Sequence, residues 1–177
     1  MNIREKLSQR MGIFDIREIN AFVQGSDKLQ EELYALVFDT DDTVAVHATW
    51  VLCHIPASGG KWLYSKQDEL IDEVIRCAHH GKRRQLLNIL QRQTFTDTPR
   101  IDFLDFCLES MMSKDELPAV KTLCIKLAFA LSKNIPELLK ELTTLLEIME
   151  PDLLPPSISS VRRNTLKAIK KHRSSAL

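Results

Sequence analysis

The sequence predicts an all-α fold: an α-α superhelix, or solenoid, of about four helical hairpins behind a short N-terminal helical cap. Three observations carry this expectation. Only 5 Gly and 7 Pro occur among 177 residues, too few for a turn-rich sheet protein, while helix formers are common. Apolar residues recur at helical spacing, and Val44, Ala48, Val51, Leu52 and Ile55 fall within one arc of about 100°. The stripe then returns, with Val44, Lys82, Val120 and Val161 in register at spacings of 38, 38 and 41 residues. A two-helix unit of this length does not bury its own apolar face, so stacked neighbours supply the core.

Taken in order, residues 1–25 read as the cap, two short helices with Ile3 and Leu7 in one and Ile16, Ile19 and Val23 in the other. Asp15 and Glu18 form a capping-box-like start there, and Gly25 is a stop. Residues 26–172 read as the repeat domain, and 173–177 as a frayed tail. From Ser26 the first hairpin carries Leu29, Leu33, Leu36 and Val37, then turns at Asp39-Thr40-Asp41-Asp42, with Asp42 as N-cap of the second helix. The loop at 56–62 contains Gly59-Gly60-Lys61 but follows a helix and lacks the spacing of a phosphate-binding loop. A second hairpin places Leu70, Ile71, Val74 and Ala78 opposite Leu86, Ile89 and Leu90 across a turn near Gly81.

Thr98-Pro99 is the expected start of the third hairpin, whose first helix carries Leu104, Cys107, Leu108 and Met111. Ser113 and Glu116 are expected to box the start of its partner, with Val120, Cys124, Leu127, Ala128 and Leu131 inward. In the fourth, Pro136 opens a helix with Leu138, Leu142, Leu145, Leu146 and Met149. Prolines at 151, 155 and 156 separate it from a last stripe of Val161, Thr165, Ala168 and Ile169.

At 177 residues and 44% hydrophobic content the chain suits one domain. No apolar run approaches the roughly 18 residues that a membrane span needs, and the expected location is the cytoplasm. Cys53, Cys77, Cys107 and Cys124 are widely spaced inside helical patterns, which reads as buried free thiols. Cys77, His79 and His80 lack a second cluster to complete a metal site. No metal, cofactor or catalytic residue is assigned.

Net charge is zero, from 24 basic and 24 acidic side chains, but the signs are segregated. Segments 43–55, 82–96, 117–134 and 153–177, which hold the second helices, contain no Asp or Glu and 13 Lys and Arg. The first-helix segments 26–42, 65–80, 98–116 and 135–152 hold 20 acids against 6 bases. In repeat register, His47, Trp50 and His54 share a face with Gln85, Asn88 and Arg92, with Lys126, and with Asn164, Lys167 and Lys171. Arg84 and Arg163 border it. An aromatic and imidazole patch thus leads into amides and cations, a surface suited to phosphates or carboxylates.

Three stretches carry a family resemblance: Asp42-x-Val-Ala-x-x-Ala-x-x-Val-Leu, Pro118-Ala-Val-Lys-x-x-x-x-x-Leu-Ala and Ser160-Val-Arg-Arg-x-x-Leu-x-x-Ile. They resemble the Asp-x-x-Val-Arg-x-x-Ala-x-x-Ala-Leu second helix of the HEAT/armadillo-like repeat family. The second unit departs from the motif, with Lys82 where Val is expected. The resemblance implies a right-handed superhelix whose second helices line a concave surface that binds a partner. The groove candidates are then Trp50, His47, His54, Arg84, Asn88, Arg92, Lys126, Arg163, Lys167 and Lys171. The expected function is a non-catalytic binding or scaffold module for an anionic partner, nucleic acid or an acidic protein segment. The alternative is DNA repair, because alkylpurine DNA glycosylases of one bacterial family are built from HEAT-like repeats. Trp50 and the arginines are similar in kind to that family's site, but no second helix supplies its catalytic carboxylate.

The helix phase is open to a direct measurement. Leu127→Ala should destabilise by about 2–5 kcal/mol as a large-to-small core change. Lys126→Ala, one residue earlier and facing outward, should cost under about 0.5 kcal/mol. Urea titration of the two variants distinguishes this phase from one shifted by a residue, which would give similar losses.

Overall fold

The computed structural model describes residues 1–175, which form ten α-helices, short 3-10 turns and no strand. The all-α class is as expected. Two compact units divide the chain, one spanning Met1–Arg92 and the other beginning at Gln93. The first holds α1 (Ile3–Leu7), α2 (Ile13–Val23), α3 (Asp27–Ala35), α4 (Asp42–Cys53), α5 (Gln67–Arg76) and α6 (His80–Gln91). Helices α1, α2 and α3 pack on α4, α5 packs on α6, and α4 adjoins α6. The second holds α7 (Ile101–Met112), α8 (Pro118–Ser132), α9 (Pro136–Ile148) and α10 (Pro156–Ser175). There α7 and α9 flank α8, α9 also contacts α10, and α8 adjoins α10. Within each unit, then, second helix packs against second helix.

The repeat register is the register of the core. Val44, Ala48, Val51 and Leu52 on α4, Leu86, Ile89 and Leu90 on α6, and Val120, Cys124, Leu127 and Ala128 on α8 are all buried. On α10, Ile158, Thr165 and Ile169 are buried, whereas Val161 and Ala168, expected inward, are half-buried. That helix packs chiefly on α8 and α9, so its covered stripe is narrower. Helix α1 is fastened by polar contacts as well as by Ile3 and Leu7. The Arg4 guanidinium meets both carboxylate oxygens of Asp39, at 2.8 and 3.0 Å, and Lys6 pairs with Asp15 and Glu18. Helices α1 and α2 both pack on α4 within the first unit.

Several helix ends lie one or two residues from their expected places, for identifiable reasons. Asp41, not Asp42, caps α4, its Oδ1 accepting from Thr43 N–H at 2.8 Å and more weakly from Val44 N–H. Asp15 is the third residue of α2, and its carboxylate accepts from Gly12 N–H at 2.9 Å. Gly25 follows with φ 78°, a left-handed turn that glycine adopts without strain. Residues Lys61–Lys66 form a 3-10 helix within the stretch read as loop and helix start. Helix α5 ends at Arg76, leaving Ala78 exposed, and α6 starts at His80 because His79 caps it, with Nδ1 accepting from Lys82 N–H at 3.1 Å.

Helix α7 starts at Ile101, after Thr98-Pro99. Ser113 closes α7, its N–H donating to the Glu109 carbonyl, and Pro118 opens α8, so no Ser113–Glu116 capping box forms. In α9 the buried position is Leu139, with Leu138 half-buried. Arg173, Ser174 and Ser175 continue α10 rather than fraying, while 176–177 of the expected tail lie outside the described residues.

Lys82, the residue that breaks the Val register, is only 7% exposed and so is Glu73 of α5. Lys82 Nζ lies 2.6 Å from Glu73 Oε1, and Arg76 holds the other carboxylate oxygen. Burial opposes ionisation of Glu73 most strongly, but the hydrogen bonds and charges of Lys82 and Arg76 together outweigh it, leaving its pKa below the ordinary value. The ammonium thus replaces a core methyl by joining α5 to α6 through charge.

Glu73→Ala should cost about 3–5 kcal/mol, because it leaves Lys82 buried without its partner. Glu73→Leu combined with Lys82→Val should recover most of that loss in urea titrations. Since the folded pKa of Glu73 is depressed, its contribution is complete above the ordinary glutamate value and is lost as pH falls through the lower folded value. The double variant should therefore show a shallower loss of stability in acid than the parent.

Candidate functional site

The C-terminal turn of α4 leaves backbone carbonyls that the helix does not itself satisfy. Three side chains supply donors. Arg92 reaches from the end of α6 and donates to the Cys53 carbonyl at 2.9 Å and to the Ile55 carbonyl at 3.1 Å. Asn20 of α2 adds a donor, from Nδ2 at 3.3 Å, to the Val51 carbonyl, which already accepts from the His54 N–H at 3.0 Å. His54 turns back to the Trp50 carbonyl, with Nδ1 at 2.9 Å. A carbonyl only accepts, so Nδ1 carries the proton and Nε2 is left to face outward. The guanidinium also sets a positive charge against the negative end of the α4 dipole. Tyr64 OH donates to the Arg92 carbonyl at 3.1 Å, holding the end of α6 from the other side.

This arrangement brings Trp50, His54, Arg84, Asn88 and Arg92 around one depression of about 370 Å3, together with Cys53, Gln85 and Gln91. No carboxylate lines it. The Trp50 ring lies between two imidazoles, with its centroid 6.3 Å from His47 and 6.0 Å from His54. His47 does not line the depression; its Nδ1 is 2.7 Å from the Leu7 carbonyl and ties α4 to the end of α1. Burial raises the pKa of the Cys53 thiol, opposed by the nearby charges of Arg92 and Arg84. The thiol stays protonated at neutral pH, so it is no activated nucleophile.

The four remaining candidates lie in the second unit. Lys126 is on the exposed stripe of α8, and Arg163, Lys167 and Lys171 are on that of α10. Like Arg84, these four are exposed and form no ion pair among the described residues. Some other bases of the second helices are engaged, whereas Lys121, Lys133 and Lys170 form no ion pair among the described residues. Lys82 pairs with Glu73, Arg83 donates to the Cys77 carbonyl, and Arg162 donates from Nε to the Leu146 carbonyl at 2.6 Å. Among the described residues no three His, Cys, Asp or Glu side chains gather as a metal site requires.

Cys53, Gln85 and Gln91 line this site without having been groove candidates, and Gln85 is the most buried amide among them. It shares the register face of Asn88 and Arg92, which is the signal that could have found it. It is 9% exposed, and its Oε1 has no hydrogen-bond partner.

Comparison with known proteins gives one family match. The family model described as HEAT repeat domain matches residues 3–169, beginning inside α1. No curated protein and no solved structure matches the chain.

The double role of the arginines on α6 makes a separable prediction. Arg92→Ala removes two hydrogen bonds from the end of α4 and should destabilise by about 1–2 kcal/mol. Arg84→Ala, with no such bonds, should change stability by less than about 0.5 kcal/mol in the same denaturation assay.

Proposed function

The chain belongs to the HEAT repeat domain family, and from that premise we propose that it is a non-catalytic binding module whose second-helix faces take an anionic partner. One observation carries the choice of charge. Arg84, Lys126, Arg163, Lys167 and Lys171 are exposed and without ion pairs among the described residues, although 24 acidic side chains are available in the chain. Had the segregated charges served only to join first helices to second, these bases would be paired as Lys82 is. A free cation keeps its field for a ligand, and several of them on the second helices of each unit favour a polyanion over a single ion.

Nucleic acid and an acidic protein segment both supply such a partner. Among the described residues no helix is long and apolar enough to cross a membrane. The cysteines are free thiols, which suits a reducing, cytoplasmic setting. A glycosylase reading needs a carboxylate beside the aromatic floor, and the residues lining the Trp50 depression offer none.

The test is the titration of labelled poly-L-glutamate and labelled oligonucleotides at low and at raised salt. Binding should weaken steeply as salt rises, because each neutralised anion releases counterions. Arg84→Glu with Lys126→Glu should weaken binding of every polyanion by at least about tenfold, with the thermal melt unchanged. Absence of binding to any of them at low salt refutes the anionic-partner reading.

A further inference from the structure

The depression beside α4 carries more than charge. Two guanidinium groups would suffice for carboxylates, yet it is also lined by the amides of Gln85, Asn88 and Gln91 and by the half-buried indole of Trp50. Side-chain amides add no charge; they offer a donor and an acceptor side by side, the pattern that matches the polar edge of a nucleobase. Gln85 is the most informative of them. It is 9% exposed and its Oε1 is unbonded, a state that buried polar groups rarely keep. Its Oε1 is sealed from the surface while Nε2 is not among the sealed atoms, so Nε2 is the end of the amide that can donate to an acceptor edge at the mouth.

Trp50 adds the second requirement. Its ring is the only large aromatic surface of the depression, whose volume of about 370 Å3 lies in the range of small-ligand sites. A duplex keeps the faces of its bases stacked, so an indole in a recess is reached only by an unstacked base. An acidic peptide would use the arginines and can bond the amides through its backbone, but it leaves the indole without a stacked partner.

We propose that this depression takes one base of a single-stranded nucleic acid, with the base on Trp50, its polar edge at Gln85 and a flanking phosphate on Arg84. The assignment rests on the anion-binding reading and narrows it to one partner class. Arg92 contributes position more than charge, since two of its donors are held by the Cys53 and Ile55 carbonyls.

The chain has 2 tryptophans, so Trp62→Phe leaves Trp50 as the fluorescent reporter. In that background, short oligo(dC), a DNA duplex and poly-L-glutamate are titrated at low and raised salt. Oligo(dC) should quench Trp50 emission on binding, whereas the duplex and poly-glutamate should bind without quenching. In the parent chain, Trp50→Ala should weaken oligo(dC) binding by about tenfold and leave poly-glutamate affinity unchanged. Trp50→Phe, which keeps a ring in the half-buried position, should retain most of the affinity and guards against a folding defect. Gln85→Leu should weaken oligo(dC) about fivefold with the salt dependence intact, and Arg84→Ala should lower that dependence by about one phosphate contact. Unquenched emission on oligo(dC) binding, or equal oligo(dC) affinity in a folded Trp50→Ala, overturns the assignment. If poly-glutamate binds and oligo(dC) does not, the nucleic-acid inference falls and the anionic reading survives; if no polyanion binds, both fall.

Discussion

The carbonyl end of α4 is the constraint on which the site depends. The last carbonyls of a helix lie beyond its own ladder, and here side chains reach them from three places: Asn20 on α2, which shares the Val51 carbonyl with the His54 N–H, His54 at the helix's own terminus and Arg92 at the end of α6. Each donor is thereby fixed in place. Fixing Arg92 sets the far wall of the depression, fixing His54 orients its ring against Trp50, and fixing Asn20 holds α2 on α4. A requirement of backbone chemistry thus sets the geometry of the surface proposed above for recognition.

The same logic governs the buried pair of Lys82 and Glu73. Lys82 occupies a position where α4 and α8 carry valine, and its ammonium is tolerated because Glu73 lies 2.6 Å away with Arg76 on its other oxygen. Ion pairs of this kind add little net stability over apolar packing, but are costly to break singly. The pair therefore fixes which first helix belongs with which second helix. Its carboxylate comes from the acidic first-helix layer, so charge segregation between layers has a structural use at this point.

At Arg84, Lys126, Arg163, Lys167 and Lys171 it has no such use. Four neighbouring bases, Lys82, Arg83, Arg92 and Arg162, are committed to a carboxylate or to carbonyls, and these five are not. The division between committed and free cations is what turns a charge pattern into a functional statement. The neutral amides and the indole beside Arg84 are what carry the proposal from an anion-binding surface to one that also takes a planar group.

Helix phase and repeat register were legible in the residues, because both are local periodicities: Val44, Ala48, Val51 and Leu52 lie on one side of any helix built from them. The acid-free second helices were equally legible, since composition along a segment needs no fold. Helix ends were less so. Ser113 and Glu116 have the spacing of a capping box, yet Ser113 closes the preceding helix and Pro118, with no N–H to satisfy, opens the next. Of the ten groove candidates, the sequence placed Trp50, His54, Arg84, Asn88 and Arg92 on related faces, and the fold gathered them. It turned His47 instead to the Leu7 carbonyl, 40 residues away in sequence. Gln85 was placed on the same face but not among the groove candidates, and its burial has no signature in a polar residue. By itself, then, the sequence determined the all-α class, the stripe that becomes the core and the segregation of charge. Only the tertiary structure decided which bases are free, because their competitors for pairing, such as the Cys53 carbonyl that takes Arg92 from 39 residues away, are brought within reach by folding alone.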